Sequence, residues 1–175
     1  MHSPYCYIRQ SATIFMKRTA QKVISAYDEN AVRLSESDKR EMLEAARQYN
    51  EELLGNIELL DPFSSIKKEV DERYQSLLNV NGSGMIGYIR IPKINAELPI
   101  YHGTSDEVLQ QAAGHLEGSS LPIGGESTHA VISAHRGLPS ASLFTDLDQM
   151  KIGDHFLIHV LDNTLCLRSG SDSGG

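Results

Sequence analysis

Residues 85–101, MIGYIRIPKINAELPIY, set the fold class of this chain. The stretch 85–91 is rich in β-branched and aromatic residues and stops at Pro92, as strands do, because proline has no amide to donate to a sheet. Residues 98–101 predict a second short strand. This part of the chain is therefore expected to fold as β-sheet.

The β pattern continues towards the C-terminus. Residues 129–134 are mostly apolar and predict a strand that leads into His135, and residues 154–161 alternate as a half-buried strand does. Residues 105–115 and 143–147 predict helical turns between the strands. This makes at most five strands with no partner for the last, an awkward set for a closed β domain.

The chain before residue 80 has a different character. Residues 1–80 hold 24 of the Asp, Glu, Lys and Arg residues, whereas residues 81–175 hold 15. Ile24, Tyr27 and Ala31 share one helical face, and Gly55 is a natural end for a second helix. The apolar stripe of that second helix is Met42, Ala46, Tyr49 and Leu53. A helical hairpin is predicted, packed on the rest of the molecule.

Composition excludes several classes of protein. The net charge of -7 and the sequence pI of about 5.4 argue against nucleic acid as a partner. Cys6 and Cys166 make neither a disulfide framework nor a zinc-type spacing, and we expect no cofactor and no metal. No stretch has the ~20 apolar residues that a transmembrane helix needs, so the sequence as written predicts a chain that is soluble or incomplete.

His135 and Cys166 are the candidate reactive residues. His135 follows an apolar strand and precedes Arg136, and strand ends are where rigid scaffolds present reactive groups. The alternative is a hydrogen-bonded structural histidine. Cys166 is a candidate nucleophile if it lies beside His135, because an imidazole activates a neighbouring thiol; the alternative is a cysteine with a structural position in a strand.

Several blocks resemble the class C, pilus-assembling sortases in their order and spacing. They are GYIRIPKI at 87–94, LPIYHGT at 98–104, GHLEGSSLP at 114–122, THAVISAHRG at 128–137 and LFTDL at 143–147. The resemblance covers residues 25–165. Upstream, Asp61, Pro62 and Phe63 look like the lid motif of the same class.

The resemblance implies a β-barrel transpeptidase on the extracellular face of a Gram-positive cell membrane, with pilin or surface-protein sorting peptides as partners. A cysteine cuts a Leu-Pro-x-Thr-Gly type motif between Thr and Gly, and a lysine amine of the next pilin resolves the thioester. The histidine acts as proton donor and acceptor and carries over to His135. An arginine steadies the substrate.

The family's Thr-Leu-x-Thr-Cys strand and its arginine are not found, and Cys166 with Arg168 comes too early to match them. The membrane anchors of the family are not found either. We therefore expect a mainly β fold with N-terminal helices, an incomplete sortase barrel, and an inactive truncated enzyme. A non-catalytic module that binds sorting peptides and an enzyme using Cys166 as a relocated nucleophile are the alternatives.

The expected organisation has four parts. Residues 1–55 form the helical hairpin, 56–84 the lid loop and linker, 85–168 the partial barrel, and 169–175 a flexible tail. The lid is expected to fold over the groove beside His135, with Pro62 stiffening the loop and Phe63 offering an apolar face. An ordinary surface turn, with Phe63 packed on the helices, is the alternative.

Overall fold

The computed structural model describes residues 4–55, 72–136 and 144–170. Two helices come first, α1 (Pro4–Arg33) and α2 (Glu36–Gly55), and residues 72–76 are also helical. A short helix, α3 (Asp106–Leu109), lies between the second and third strands. The strands of the described part are β1 (Met85–Ile91), β2 (Ala96–His102), β3 (Ala113–His115), β4 (Ile132–Ser133), β5 (His155–Val160) and β6 (Asn163–Arg168).

These strands form one curled sheet, a half-barrel, in the order β4-β3-β2-β1-β5-β6. The β2–β3 pair is parallel, and the other pairs are antiparallel. The prediction of a mainly β fold with N-terminal helices is confirmed. Two details were wrong: β3 lies inside the stretch 105–115 predicted as helical, and the last strand has a partner, because β6 pairs with β5 along its whole length.

The central strand β1 has one face in each of two apolar clusters. Ile89 and Ile91 belong to the main core, which also takes side chains from α2 and from residues 74–78. Tyr88 and Met85 belong to a second cluster with Ile24 and Tyr27 of α1. We call the Ile89 side the concave face and the Tyr88 side the convex face.

Gly87 sets how closely β1 approaches β5. A Cβ at this position would collide with the carbonyl oxygen of His159, so no larger residue fits without a shift of the backbone. The same close approach places Tyr88 opposite His159 in the sheet register. A glycine inside a strand often marks such a contact between backbones.

The two long helices hold the turn between β5 and β6. The Tyr27 hydroxyl donates to the carbonyl of Ile86 at 2.8 Å and accepts the amide of Leu161 at 2.9 Å. Leu161 has φ of +53°, a conformation that a leucine adopts only when its surroundings impose it. Lys39 of α2 pairs with Asp162, the next residue of this turn. The helices thereby fix the hairpin that brings β6 to the sheet.

Among the helices in the described ranges, we find none with the length and apolar character required to cross a membrane.

Candidate functional site

His135 lies just beyond β4, at one edge of the sheet. Backbone hydrogen bonds fix the approach to it: Leu116 donates to Val131 at 2.9 Å, and Ser120 donates to His129 at 2.9 Å. The carbonyl of His135 accepts the amide of Phe144 at 3.3 Å. Its side chain is half-buried. The backbone on both sides of His135 is therefore held in place, which is the condition for presenting a reactive side chain in one position.

Arg136, the next residue, makes an ion pair with Asp148 at 2.8 Å. The side chains are 63% and 58% exposed, so the pair contributes little stability. It does connect the residue after His135 to the short helical turn Leu147–Gln149. Neither Asp148 nor Phe144 was singled out from the sequence, because nothing in their local pattern indicates a contact with a residue nine or more positions away.

An apolar cavity of about 500 Å³ opens on the concave face. Ile89, Ile158 and Leu165 line it from the strands β1, β5 and β6. Ile132 of β4 and Phe144 line it from the side of His135. Its volume is within the range of ligand pockets, and its lining is predominantly apolar, as such pockets are. The cavity is therefore bordered by β4, which leads into His135, and by Phe144, whose amide donates to the His135 carbonyl.

Cys166 is placed differently. It lies on β6, opposite Leu157 of β5, and its side chain is exposed. Its neighbours Leu165 and Leu167 line the cavity, and successive side chains of a strand point to opposite faces, so the thiol points to the convex face. His135 follows β4 and Cys166 lies on β6, and these two strands are the opposite edges of the sheet.

The predicted lid residues Asp61, Pro62 and Phe63 lie outside the described residues. Within the described ranges, no group of three or more His, Cys, Asp or Glu side chains is arranged to hold a metal ion. His155 and His159 are two positions from Leu157 on either side, so both lie on the convex face of β5.

Two other histidines, His102 and His115, are buried between the sheet and residues 72–78. His115 is fully buried, and His102 is 5% exposed. Burial lowers the pKa of both imidazoles, because a charged ring loses its hydration there. Burial likewise raises the pKa of Tyr74, which contacts both rings. Each group is therefore neutral near neutral pH.

The buried Tyr88 and the half-buried His159 form a pair on the convex face. The rings of Tyr88 and His159 stack with centroids 4.5 Å apart, and Thr164 lies 2.8 Å from Nδ1 of His159. Partial burial, and then the nearby Arg90 guanidinium, lower the pKa of His159. The Tyr88 hydroxyl reaches Asp28 of α1 at 3.5 Å, the limit of a hydrogen bond. These contacts join α1 to the sheet.

Comparison with known proteins identifies the group to which this fold belongs. The Sortase domain family matches residues 89–166. Sortase D of Bacillus subtilis (strain 168) is 38% identical over 68 residues, which are 39% of this chain and 31% of that protein.

Solved structures match over more of the chain. Sortase C1 of Streptococcus agalactiae is 42% identical with a TM-score of 0.78, over 86% of this chain and 76% of that one. Sortase C of Streptococcus pneumoniae is 44% identical with a TM-score of 0.68, over 84% of this chain and 72% of that one. The chain belongs to the sortase family. Its similarity to class C sortases, expected from the sequence, is confirmed.

Proposed function

We propose that this chain is the histidine-bearing part of a sortase transpeptidase that joins pilin subunits at a Leu-Pro-x-Thr-Gly type sorting motif. The observation that carries the proposal is the cavity on the concave face, whose lining includes Ile132 and Phe144 on either side of His135. The solved sortase C of Streptococcus pneumoniae is described as informative on catalysis and on pilin substrate specificity. That likeness supports a pilin substrate for this chain.

The proposed reaction has two proton transfers at His135. A cysteine thiolate attacks the threonine carbonyl of the motif, the bond to glycine breaks, and the histidine gives a proton to the departing glycine amine. A lysine amine of the next pilin then attacks the thioester, and the histidine takes a proton from that amine as the thiolate leaves. His135 is suited to both steps because histidine gains and loses a proton near neutral pH.

The 175 residues by themselves are proposed to bind sorting peptides without turnover. Cys166 is the exposed thiol of the described part, and it faces away from the cavity beside His135. A nucleophile for the covalent step has to reach the bound peptide, and Cys166 points to the other face of the sheet from its neighbours Leu165 and Leu167, which line the cavity. The apolar lining can still accept the leucine and proline of the motif, and this favours binding alone as the second candidate function.

We also propose that Asp61, Pro62 and Phe63 cover the peptide groove as a lid. Sortase C1 of Streptococcus agalactiae has been solved as a lid mutant, so that protein has a lid. Burying the Phe63 ring would contribute roughly 1.5–3 kcal/mol to closure. Replacing Phe63 with alanine should therefore tighten binding of a sorting peptide, and unchanged affinity would remove the lid from the proposal.

Sortases are cell-surface enzymes. We propose the same location for this protein, at the outer face of the cell membrane.

A binding titration with product analysis tests the proposed function. The chain is mixed with a Leu-Pro-x-Thr-Gly peptide or with a scrambled peptide of the same composition, in the presence of an amine acceptor. Saturable binding of the sorting peptide, weaker binding of the scrambled one, and no transpeptidation product are expected. Equal binding of both peptides contradicts the sorting-motif proposal, and product that disappears in Cys166→Ala contradicts the proposed inactivity of these residues alone.

A further inference from the structure

Two buried histidines attach residues 72–78 to the sheet. Nε2 of His115 donates to the carbonyl of Ser120 at 2.8 Å, so Nδ1 is the acceptor that faces the Tyr74 hydroxyl at 2.8 Å. The same hydroxyl lies 2.9 Å from the carbonyl of His115 and accepts the amide of Gly103 at 3.1 Å. Tyr74 thereby connects the helical segment to both β2 and β3.

His102 packs against the other side of this contact. Its ring meets that of Tyr74 edge to face, with centroids 4.8 Å apart. Nδ1 donates to the carbonyl of Gly84 at 2.9 Å, whereas Nε2 is buried with no hydrogen-bond partner among the described residues. A proton added at Nε2 would place a charge at a buried position, and the nearby backbone carbonyls of Leu77 and Tyr74 offset that cost only in part, so burial still lowers the pKa.

His115 meets protonation differently. A proton at Nδ1 turns an acceptor into a donor, and the Tyr74 hydroxyl can adapt by directing its hydrogen to the carbonyl of His115. The hydrogen bonds are then preserved, but the ring carries a charge at a fully buried position. Burial therefore disfavours the protonated form of both rings. At His102, Nε2 also lacks a hydrogen-bond partner among the described residues.

Among the described residues, we find no carboxylate in contact with either ring. Arg73 of the segment forms an ion pair with Glu52 of α2 at 2.5 Å, on the exposed side. Glu117, in the turn after β3, and the phenol of Tyr49 in α2 face the Tyr74 hydroxyl at longer range. Ser119 lies 3.2 Å from Nε2 of His115 and is uncharged.

We propose that Tyr74, His102 and His115 form a proton-sensitive clasp, which weakens the attachment of residues 72–78 to β2 and β3 in mildly acidic conditions. The clasp is closed when both imidazoles are neutral. In the open form the imidazole rings have left the buried site and regain their ordinary affinity for protons. Proton binding therefore stabilises the open form. The attachment is therefore strongest above the ordinary histidine pKa of about 6.5 and weakens as the pH falls below it.

The expected size follows from linkage. At about pH 5.5, each histidine that stays neutral in the closed state raises the ratio of open to closed forms about tenfold relative to neutral pH. Two such histidines together give about a hundredfold. The end of the β1–β2 ladder at Ile91 and Ala96 should change less, because no histidine lies on that part of the two strands.

Hydrogen exchange of the whole chain tests the clasp. The reporter is the amide of Gly103, which donates to the Tyr74 hydroxyl, and the reference is the amides at the Ile91–Ala96 end of the β1–β2 ladder. Protection, corrected for the intrinsic exchange rate, should fall by at least tenfold more at Gly103 than in the ladder between neutral pH and about pH 5.5. Equal losses at both places overturn the proposal, and this measurement needs no variant.

His102→Phe keeps an aromatic ring against Tyr74, but this ring cannot be protonated. The acid-induced loss of protection at Gly103 should therefore be about tenfold smaller in this variant than in the wild type. The matched control is His155→Gln, at an exposed position on β5. It should show the same acid-induced loss of protection at Gly103 as the wild type. A loss in His102→Phe equal to that of the control overturns the role of His102.

Discussion

The convex and concave faces of the sheet are covered in different ways. On the convex face, α1 packs on β1, and Tyr27 satisfies two backbone groups at once. On the concave face, apolar side chains, among them Ile132 and Phe144, surround a cavity of about 500 Å³. The convex face is already covered by α1 and its hydrogen bonds, so little of its surface is available to a ligand. An open apolar surface, such as that of the concave cavity, can still bind one. The comparison gives the convex face a structural role and leaves the concave face for the proposed peptide binding.

The largest expected effect is on the concave side of β1, away from the cavity opening. Ile86 is fully buried in the main core, so Ile86→Ala should lower the free energy of unfolding by about 2–5 kcal/mol. Urea denaturation measures the loss, with Val32→Ala at an exposed position of α1 as the control. A loss no greater than that of the control would mean that Ile86 is not in the core.

Tyr27→Phe should have the next largest effect, on the convex face. The ring remains, but the carbonyl of Ile86 and the amide of Leu161 lose their partner inside the protein. The expected loss is about 1–3 kcal/mol in the free energy of unfolding. Burial raises the pKa of this phenol to about 12, so the loss should not depend on pH in the neutral range. If Tyr27→Phe is as stable as the wild type, the convex face is held by packing alone.

A smaller effect of opposite sign is expected at Asp28. Partial burial raises the pKa of this carboxyl, so the folded state binds its proton more tightly than the unfolded state does. Asp28 therefore opposes folding at neutral pH, and this effect fades as the pH falls and the carboxyl is protonated in both states. Asp28→Asn should raise stability by less than about 1 kcal/mol at neutral pH. A variant less stable than the wild type at neutral pH would show that the contact with Tyr88 matters more than the burial.

The smallest effect is expected at Cys166. Cys166→Ser changes an exposed side chain and should alter the free energy of unfolding by no more than about 0.5 kcal/mol. A thiol reagent should label Cys166 in the folded chain, and a bound sorting peptide should not protect it. Protection by the peptide would place the ligand on the convex face and reverse the comparison.

The sequence predicted what depends on local pattern. Strands β1 and β5 were found within a residue or two, because their residues alternate or are rich in β-branched types. The three residues of β3 were missed, since Ala113, Gly114 and His115 have no strand pattern and pair through β2 and β4 only after folding. At the turn between β5 and β6, the residue with positive φ is Leu161 and not a glycine or asparagine, and Tyr27 and Lys39 hold this turn from elsewhere in the chain.

The candidate site shows the same difference between features that have a local sequence pattern and features that form only on folding. His135 was predicted as a site residue from its position after an apolar strand and from the resemblance to sortases, and it stays a prediction. The cavity beside it was not predictable, because Ile89, Ile132 and Phe144 come together only when the sheet curls. The contact of Tyr74 with His115 joins residues 41 positions apart and leaves no local signal in the sequence.

The most direct test of the central claim is the location of a bound sorting peptide. A Leu-Pro-x-Thr-Gly peptide is titrated into isotopically labelled chain, and chemical-shift changes are mapped by NMR. The account predicts that the changes concentrate at Ile132, His135 and Phe144, around the concave cavity. Changes concentrated at Cys166 and Arg168 on the convex face of β6, with none at His135, would contradict it.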